Sequence, residues 1–316
     1  MPEHPHDATS HPSHIDPARA AQVRDPLPHG TALLRGLLGW VVLCIGLGIS
    51  IGVVEVLDQA FNLPDVARFL VQAAVMAILI VPTILLLRAR LDRRPAAGLG
   101  WSPRVATPLA LGLGIGLVAG VFAWVPALLA GWIRIDAIDP GAFAWFLVLN
   151  GLALAFYEAL PEELALRGYT WTNLRDGWGP AVATTLTTLL FPFGGIIAST
   201  VAAGITATLG VPTTPFSAFP ADPVAYVLQL VLFGLTLIAA RRIPVEGALF
   251  VAVAFHWTQL SVTRALLGGL DWMDSGWSTT FVQPDAIALV LVHIVLGGFL
   301  FIAVRKVLDR RRPLNS

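Results

Sequence analysis

The chain has 316 residues, of which 56% are hydrophobic and 13% charged, against about 25% charged in an ordinary soluble domain. Lysine plus arginine balances aspartate plus glutamate at 20 each, so no basic excess suits the chain to a nucleic acid. A single cysteine, Cys44, excludes an intrachain disulfide and a zinc–cysteine cluster. This composition belongs to an integral membrane protein, and the expected fold is an all-α polytopic helix bundle whose surroundings are a lipid bilayer.

Residues 1–30 show no apolar periodicity and are rich in Pro, His, Asp and Ser, which is the composition of a disordered tail. Five of the seven histidines, His4, His6, His11, His14 and His29, fall there. A metal-binding tail and plain low-complexity sequence both account for them. No cleavable leader is expected, because no apolar core follows a short basic start.

A helical crossing takes about 20 mostly apolar residues. Eight stretches qualify, at about 37–57, 69–87, 105–132, 142–166, 179–200, 224–240, 246–264 and 284–304. They set the membrane domain at 31–306, with a short basic tail at 307–316. Small residues, as in "LALGLGIGLVAG" at 109–120, let helices approach closely in lipid. With the N-terminus inside, all but three of the 20 basic residues fall on inner segments; the exceptions are Arg68, Arg134 and Arg264. Cytoplasmic loops carry such an excess, which puts both termini in the cytoplasm, expected here to be that of a bacterial cell with the chain in its plasma membrane. Residues 200–223 read as an outer loop, partly re-entrant.

Few ionisable residues lie within the spans or at their ends: Glu55, Glu158, Glu162, Glu163, Arg167, Glu246, His256 and His293. Such groups are functional candidates by default. Glu55 reads as reaching outward to water, and Glu246 as a helix-start carboxylate near Arg241 or Arg242. His293, in "LVLVHIVLG", reads as a histidine satisfied inside the bundle. In "LPEELALRGY", 160–169, Glu163 and Arg167 stand at i, i+4 in the order that favours an ion pair. Glu158 and Glu162 share a helical face if the helix continues, bent by Pro161; alternatively Pro161 opens a fresh helix. Glu162 is then a partly desolvated carboxylate without a partner, suited to act as a general base on water. A structural charge cluster at the cytoplasmic end of a span accounts for the same spacing. In "VAVAFHWTQL", 251–260, His256 could share a water with a carboxylate at similar depth, and Gln259 lies one turn on.

At these residues the chain resembles the CPBP intramembrane proteases, which include the CAAX prenyl endopeptidases and bacteriocin-processing proteins. Glu162, Glu163, Arg167, Gly168 and Tyr169 match the family's E-E-x-x-x-R-G-Y pattern, and the similarity covers about 142–265. The resemblance implies about eight membrane helices, a peptide or membrane-protein substrate and hydrolysis by water activated at Glu162. Glu163 and Arg167 would organise the site, and His256 would act as an acid or oxyanion donor. Two family positions differ: F-x-x-x-H has Phe191 but Gly195, and H-x-x-x-N has His256 but Leu260. Gln259, with Glu158 and His293 as possible auxiliaries, would substitute in part. A divalent metal such as zinc would find one histidine and two glutamates, with Glu163 already engaged by Arg167. The alternatives are a catalytically inactive homologue that binds or scaffolds in the membrane, and a carrier using Glu158, Glu162 and His256. The halves of the chain show no internal repeat of the kind common in carriers.

Overall fold

A computed structural model describes residues 27–212, 222–270 and 273–311. Most of the expected tail, 1–26, and the stretch 213–221 of the expected 200–223 loop lie outside the described residues; 200–208, expected as loop, are instead the end of a helix.

The chain folds as an all-α helix bundle of an integral membrane protein. Helix α1 is His29–Phe61 and α2 is Asp65–Leu86, extended by a π-helical turn at Leu87–Leu91. Helix α3 is Ala106–Leu129 and α4 is Pro140–Leu154. The chain stays helical through Thr170 and continues as α5, Trp171–Leu190, followed by α6, Gly194–Thr208. Helices α7, Pro223–Arg241, α8, Ala248–Leu266, and α9, Leu289–Arg311, complete it. Among the described residues, six stretches are long and apolar enough to cross a membrane. One of them, Pro140–Thr208, holds 69 residues, about 100 Å of helix if straight and so far more than one crossing. It turns at Gly179, whose φ of 79° only glycine adopts freely, and Pro180 starts the next helical segment.

Helix α8 is not among those six, since His256, Gln259 and Arg264 lower its hydropathy, yet it is the most enclosed helix of the bundle. It packs on α3 where Gly112 and Gly116 face Val251, Ala254 and Thr258; a Cβ at Gly112 would strike the Val251 carbonyl. This is the close approach that small residues permit in lipid. Leu117, Phe122, Trp145 and Phe299 point outward instead, as the lipid-facing sides of apolar helices do.

Two short antiparallel strand pairs, unforeseen in the sequence, cover one end of the bundle. Strand β1, Ile133–Ile138, pairs with β4, Trp277–Phe281, and β2, Gly269–Leu270, with β3, Met273–Asp274. This end is called the hairpin face. Helices α4 and α7 both start there at an Asp-Pro pair: Asp139 and Asp222 each accept two backbone N–H groups, with proline at the first helical position. The opposite, arginine-rich face carries Arg35, Arg94, Arg104 and Arg242. At that face Glu246 accepts from Ser102 at 2.8 Å and from Arg104 at 3.1 Å, rather than meeting Arg241 or Arg242.

Two expected boundaries shift. Helix α1 begins at His29, inside the expected tail, and α9 runs to Arg311, beyond the expected 306. The span expected to end near 166 continues to the break at Gly179. Arg167 is therefore a buried bundle residue rather than a loop charge, and so is Arg88.

Candidate functional site

The stretch 155–170 is built around Pro161. A proline inside a helix removes one backbone hydrogen bond and crowds the preceding turn. The helix here continues through the proline, as in the first of the two readings, and it does so by widening. Ala155–Ala159 and Glu163–Thr170 are π-helical, with one α-helical turn between them. Wider turns of this kind recur at functional sites. Along this stretch Glu163 and Arg167 are fully buried, whereas Glu158 and Glu162 line cavities.

Glu163 and Arg167 are fully buried and form the expected ion pair, with Arg167 Nη1 donating to Glu163 Oε1 at 3.1 Å. The Arg167 guanidinium also lies over the Phe191 ring, 4.5 Å from its centre. Unexpectedly, the same Oε1 receives His256 Nδ1 at 3.0 Å. A carboxylate acceptor fixes the proton on Nδ1, and Nε2 then has no hydrogen-bond partner among the described residues. The carboxylate that His256 touches directly is Glu163, while Glu162 lines the same cavity as His256. Three buried atoms of this cluster have no partner among the described residues, Glu163 Oε2 and Arg167 Nε and Nη2.

Glu162 is half-buried and makes no hydrogen bond or ion pair with the described residues. It lines an inner cavity of about 290 Å³ together with His256, Gln259, Leu260 and Gly195. The wall is otherwise largely apolar, with Trp40, Leu43, Leu47, Phe191 and Phe233. Gly195 and Leu260, the two positions that depart from the family pattern, are therefore on the cavity surface. Three of the expected candidates have other commitments. One N–H of the Gln259 amide goes to Thr263 Oγ1 at 3.1 Å. Glu158 is paired with Arg264 Nη2 at 2.6 Å, and Arg264 Nη1 reaches Asn150 at 3.1 Å. His293 is satisfied away from the cavity: its Nε2–H donates to the Gly116 carbonyl at 2.9 Å and its Nδ1 accepts from Trp124 at 3.4 Å. It cannot replace the missing imidazole from there.

The donor set does not fit a metal. Glu163 Oε1 is shared by Arg167 and His256, and among the described residues no group of three or more His, Cys, Asp or Glu is placed to hold an ion.

Nothing in the sequence singled out Asp92, yet it organises the arginine-rich side of the same stretch. Its buried carboxylate pairs with Arg88 at 3.1 Å and Arg35 at 3.2 Å and accepts from the Tyr169 hydroxyl at 3.1 Å and Asn173 at 3.4 Å. Tyr169, the end of the motif, thereby anchors the π-helical segment. The one available signal was Arg88 and Asp92 at i, i+4, hidden among neighbouring loop charges. Trp40 Nε1, buried and unpartnered, and Cys44 on the cavity wall were also missed. Comparison of the chain with family models, curated proteins and solved structures gives no match.

Proposed function

We propose that this protein is an intramembrane endopeptidase of the CPBP type with a rearranged site, cutting a peptide bond of a membrane-associated peptide or protein. The observation that carries the reading is the pairing, in one cavity, of an unpartnered carboxylate with a histidine whose ring is oriented by a second carboxylate. Glu162 is free to take a proton from a water and pass it to the leaving amine. His256, held through Nδ1 by Glu163, presents Nε2, which accepts from that water when neutral and donates to the developing oxyanion when protonated. Arg167 fixes Glu163, so the chain reserves one carboxylate for chemistry and one for orientation. No step passes through a metal. The chain would sit in a bacterial plasma membrane with the arginine-rich face, and so both termini, in the cytoplasm.

The test is cleavage of candidate membrane peptides by reconstituted protein. Glu162→Gln should lower the rate by about two orders of magnitude or more, the usual scale for loss of a general base, with thermal stability unchanged. An unaltered rate would end this reading.

A second reading has its own observation. Gly195 and Leu260 leave the cavity without the second imidazole and the amide of the family pattern, which suits a non-catalytic binding protein. Under that reading the unmodified protein cuts nothing, and Gly195→His with Leu260→Asn creates cleavage.

A further inference from the structure

A second, larger cavity of about 530 Å³ lies toward the hairpin face, and its lining differs in kind from that of the inner one. Asp65, Arg68, Gln72, Glu158 and Arg264 put several charged groups on its wall, beside the apolar Val54, Phe69 and Leu154. The two cavities share one wall, formed by Tyr157 and Glu158, which line both. Tyr157 is held from the outer side by Gln72, whose Nε2 donates to its hydroxyl at 3.0 Å. Glu158 is held by Arg264 at 2.6 Å, with side chains about one-fifth exposed on each partner, so this pair is wet while the Glu163–Arg167 pair is dry.

Hydrolysis inside a bilayer needs a source of water, and hydrocarbon supplies none. From the arginine-rich face the way is filled by Leu164, Leu166, Tyr169 and Leu249, all without solvent exposure, and by the Asp92 ion cluster. The hairpin side offers the opposite: charged residues lead inward to the shared Tyr157–Glu158 wall, and Glu162 lines the cavity on its far side.

We infer that the inner cavity is hydrated from the hairpin face through the outer cavity, and that the Tyr157–Glu158 wall, latched by Arg264, is the gate between them. Water and small polar solutes pass when the Glu158–Arg264 pair opens. The hydrolytic reading gives the route its use, but the route itself is tested without any catalysis. Small polar reactants then reach Glu162 from the face opposite the arginines.

The experiment is thiol accessibility in full-length protein reconstituted in vesicles of known orientation. Cys44→Ser removes the only native cysteine. Leu260→Cys then reports on the inner cavity, Gln72→Cys on the outer one, and Leu237→Cys, buried away from both, on background. A membrane-impermeant methanethiosulfonate added on the hairpin side should modify Gln72→Cys fast, Leu260→Cys more slowly and Leu237→Cys not at all. Adding Glu158→Gln with Arg264→Gln should speed Leu260→Cys by about fivefold, the scale set by a partly exposed ion pair, without changing Gln72→Cys. Should that double variant misfold, Tyr157→Ala opens the same wall and should give the same acceleration. Modification of Leu260→Cys only from the arginine-rich side, or none from either side while Gln72→Cys reacts, overturns the route. An unchanged rate in both gate variants overturns the gate. Cleavage lost in Glu162→Gln with this labelling pattern intact supports both proposals; labelling intact with no cleavage by the unmodified protein sinks only the hydrolytic one.

Discussion

Two ionic clusters are buried in this bundle, and they are finished differently. Around Asp92 the acid is saturated: both oxygens accept, from Arg35, Arg88, Tyr169 and Asn173, and the cluster lines neither of the two cavities described above. Around Glu163 one oxygen serves both Arg167 and His256, the other serves nothing, and the inner cavity with Glu162 lies alongside. Burying charge is expensive unless each group finds partners, so a saturated network is what architecture alone requires. An under-satisfied network beside a void is what a site for another molecule looks like from the protein's side.

The largest effect that would separate them comes from removing the acid. Asp92→Ala leaves Arg88 buried without its carboxylate and should cost about 3–5 kcal/mol, read as a large fall in the unfolding temperature of detergent-solubilised protein. Glu163→Gln should be milder. His256 and Arg167 keep a polar partner, the loss should be about 1–3 kcal/mol, and what suffers most is the orientation of His256 and with it turnover. Equal destabilisation by the two would erase the distinction. His293→Phe sharpens it from another side: with its bonds to Gly116 and Trp124 gone it should lose about 1–3 kcal/mol and, under the proposed hydrolytic reading, leave the cleavage rate unchanged, because His293 is outside the cavity. Loss of turnover at unchanged stability would return His293 to the site.

The smallest effect concerns the β1–β4 pair. The Thr280 hydroxyl and the Arg134 guanidinium, both bonded to Asp136, hold its carboxyl below the ordinary value of 3.8. A depressed carboxyl adds stability that is present above its unfolded value and is lost as pH falls through the folded one. The ratio of amide exchange in β1 and β4 to that of Asp136→Asn at the same pH should therefore be flat above about pH 4 and rise below it.

Much of this was legible in the chain. Apolar runs of crossing length located the helices, because every backbone polar group in lipid must be satisfied within its own segment. Carboxylates amid hydrocarbon marked 158–167, and i, i+4 spacing paired Glu163 with Arg167. What resisted was any partnership between distant residues. His256 lies 93 positions from Glu163, and no local pattern could choose between Glu162 and Glu163 as its partner. Arg167 and Arg88 were read as loop charges by the arginine distribution, since burial cannot be seen where charge alone is counted. Asp92 was lost among five arginines for the same reason.

By itself, then, the sequence determined the membrane setting, the helical class and the chemical types available at the centre, since these follow from hydropathy and from spacing along one helix. Only the tertiary structure decided which carboxylate orients His256, which is left facing a void, and that Glu158 forms a wall between two cavities. Those outcomes depend on π-helical turns around Pro161 and on the depth at which α8 packs, and both are properties of helices meeting in space.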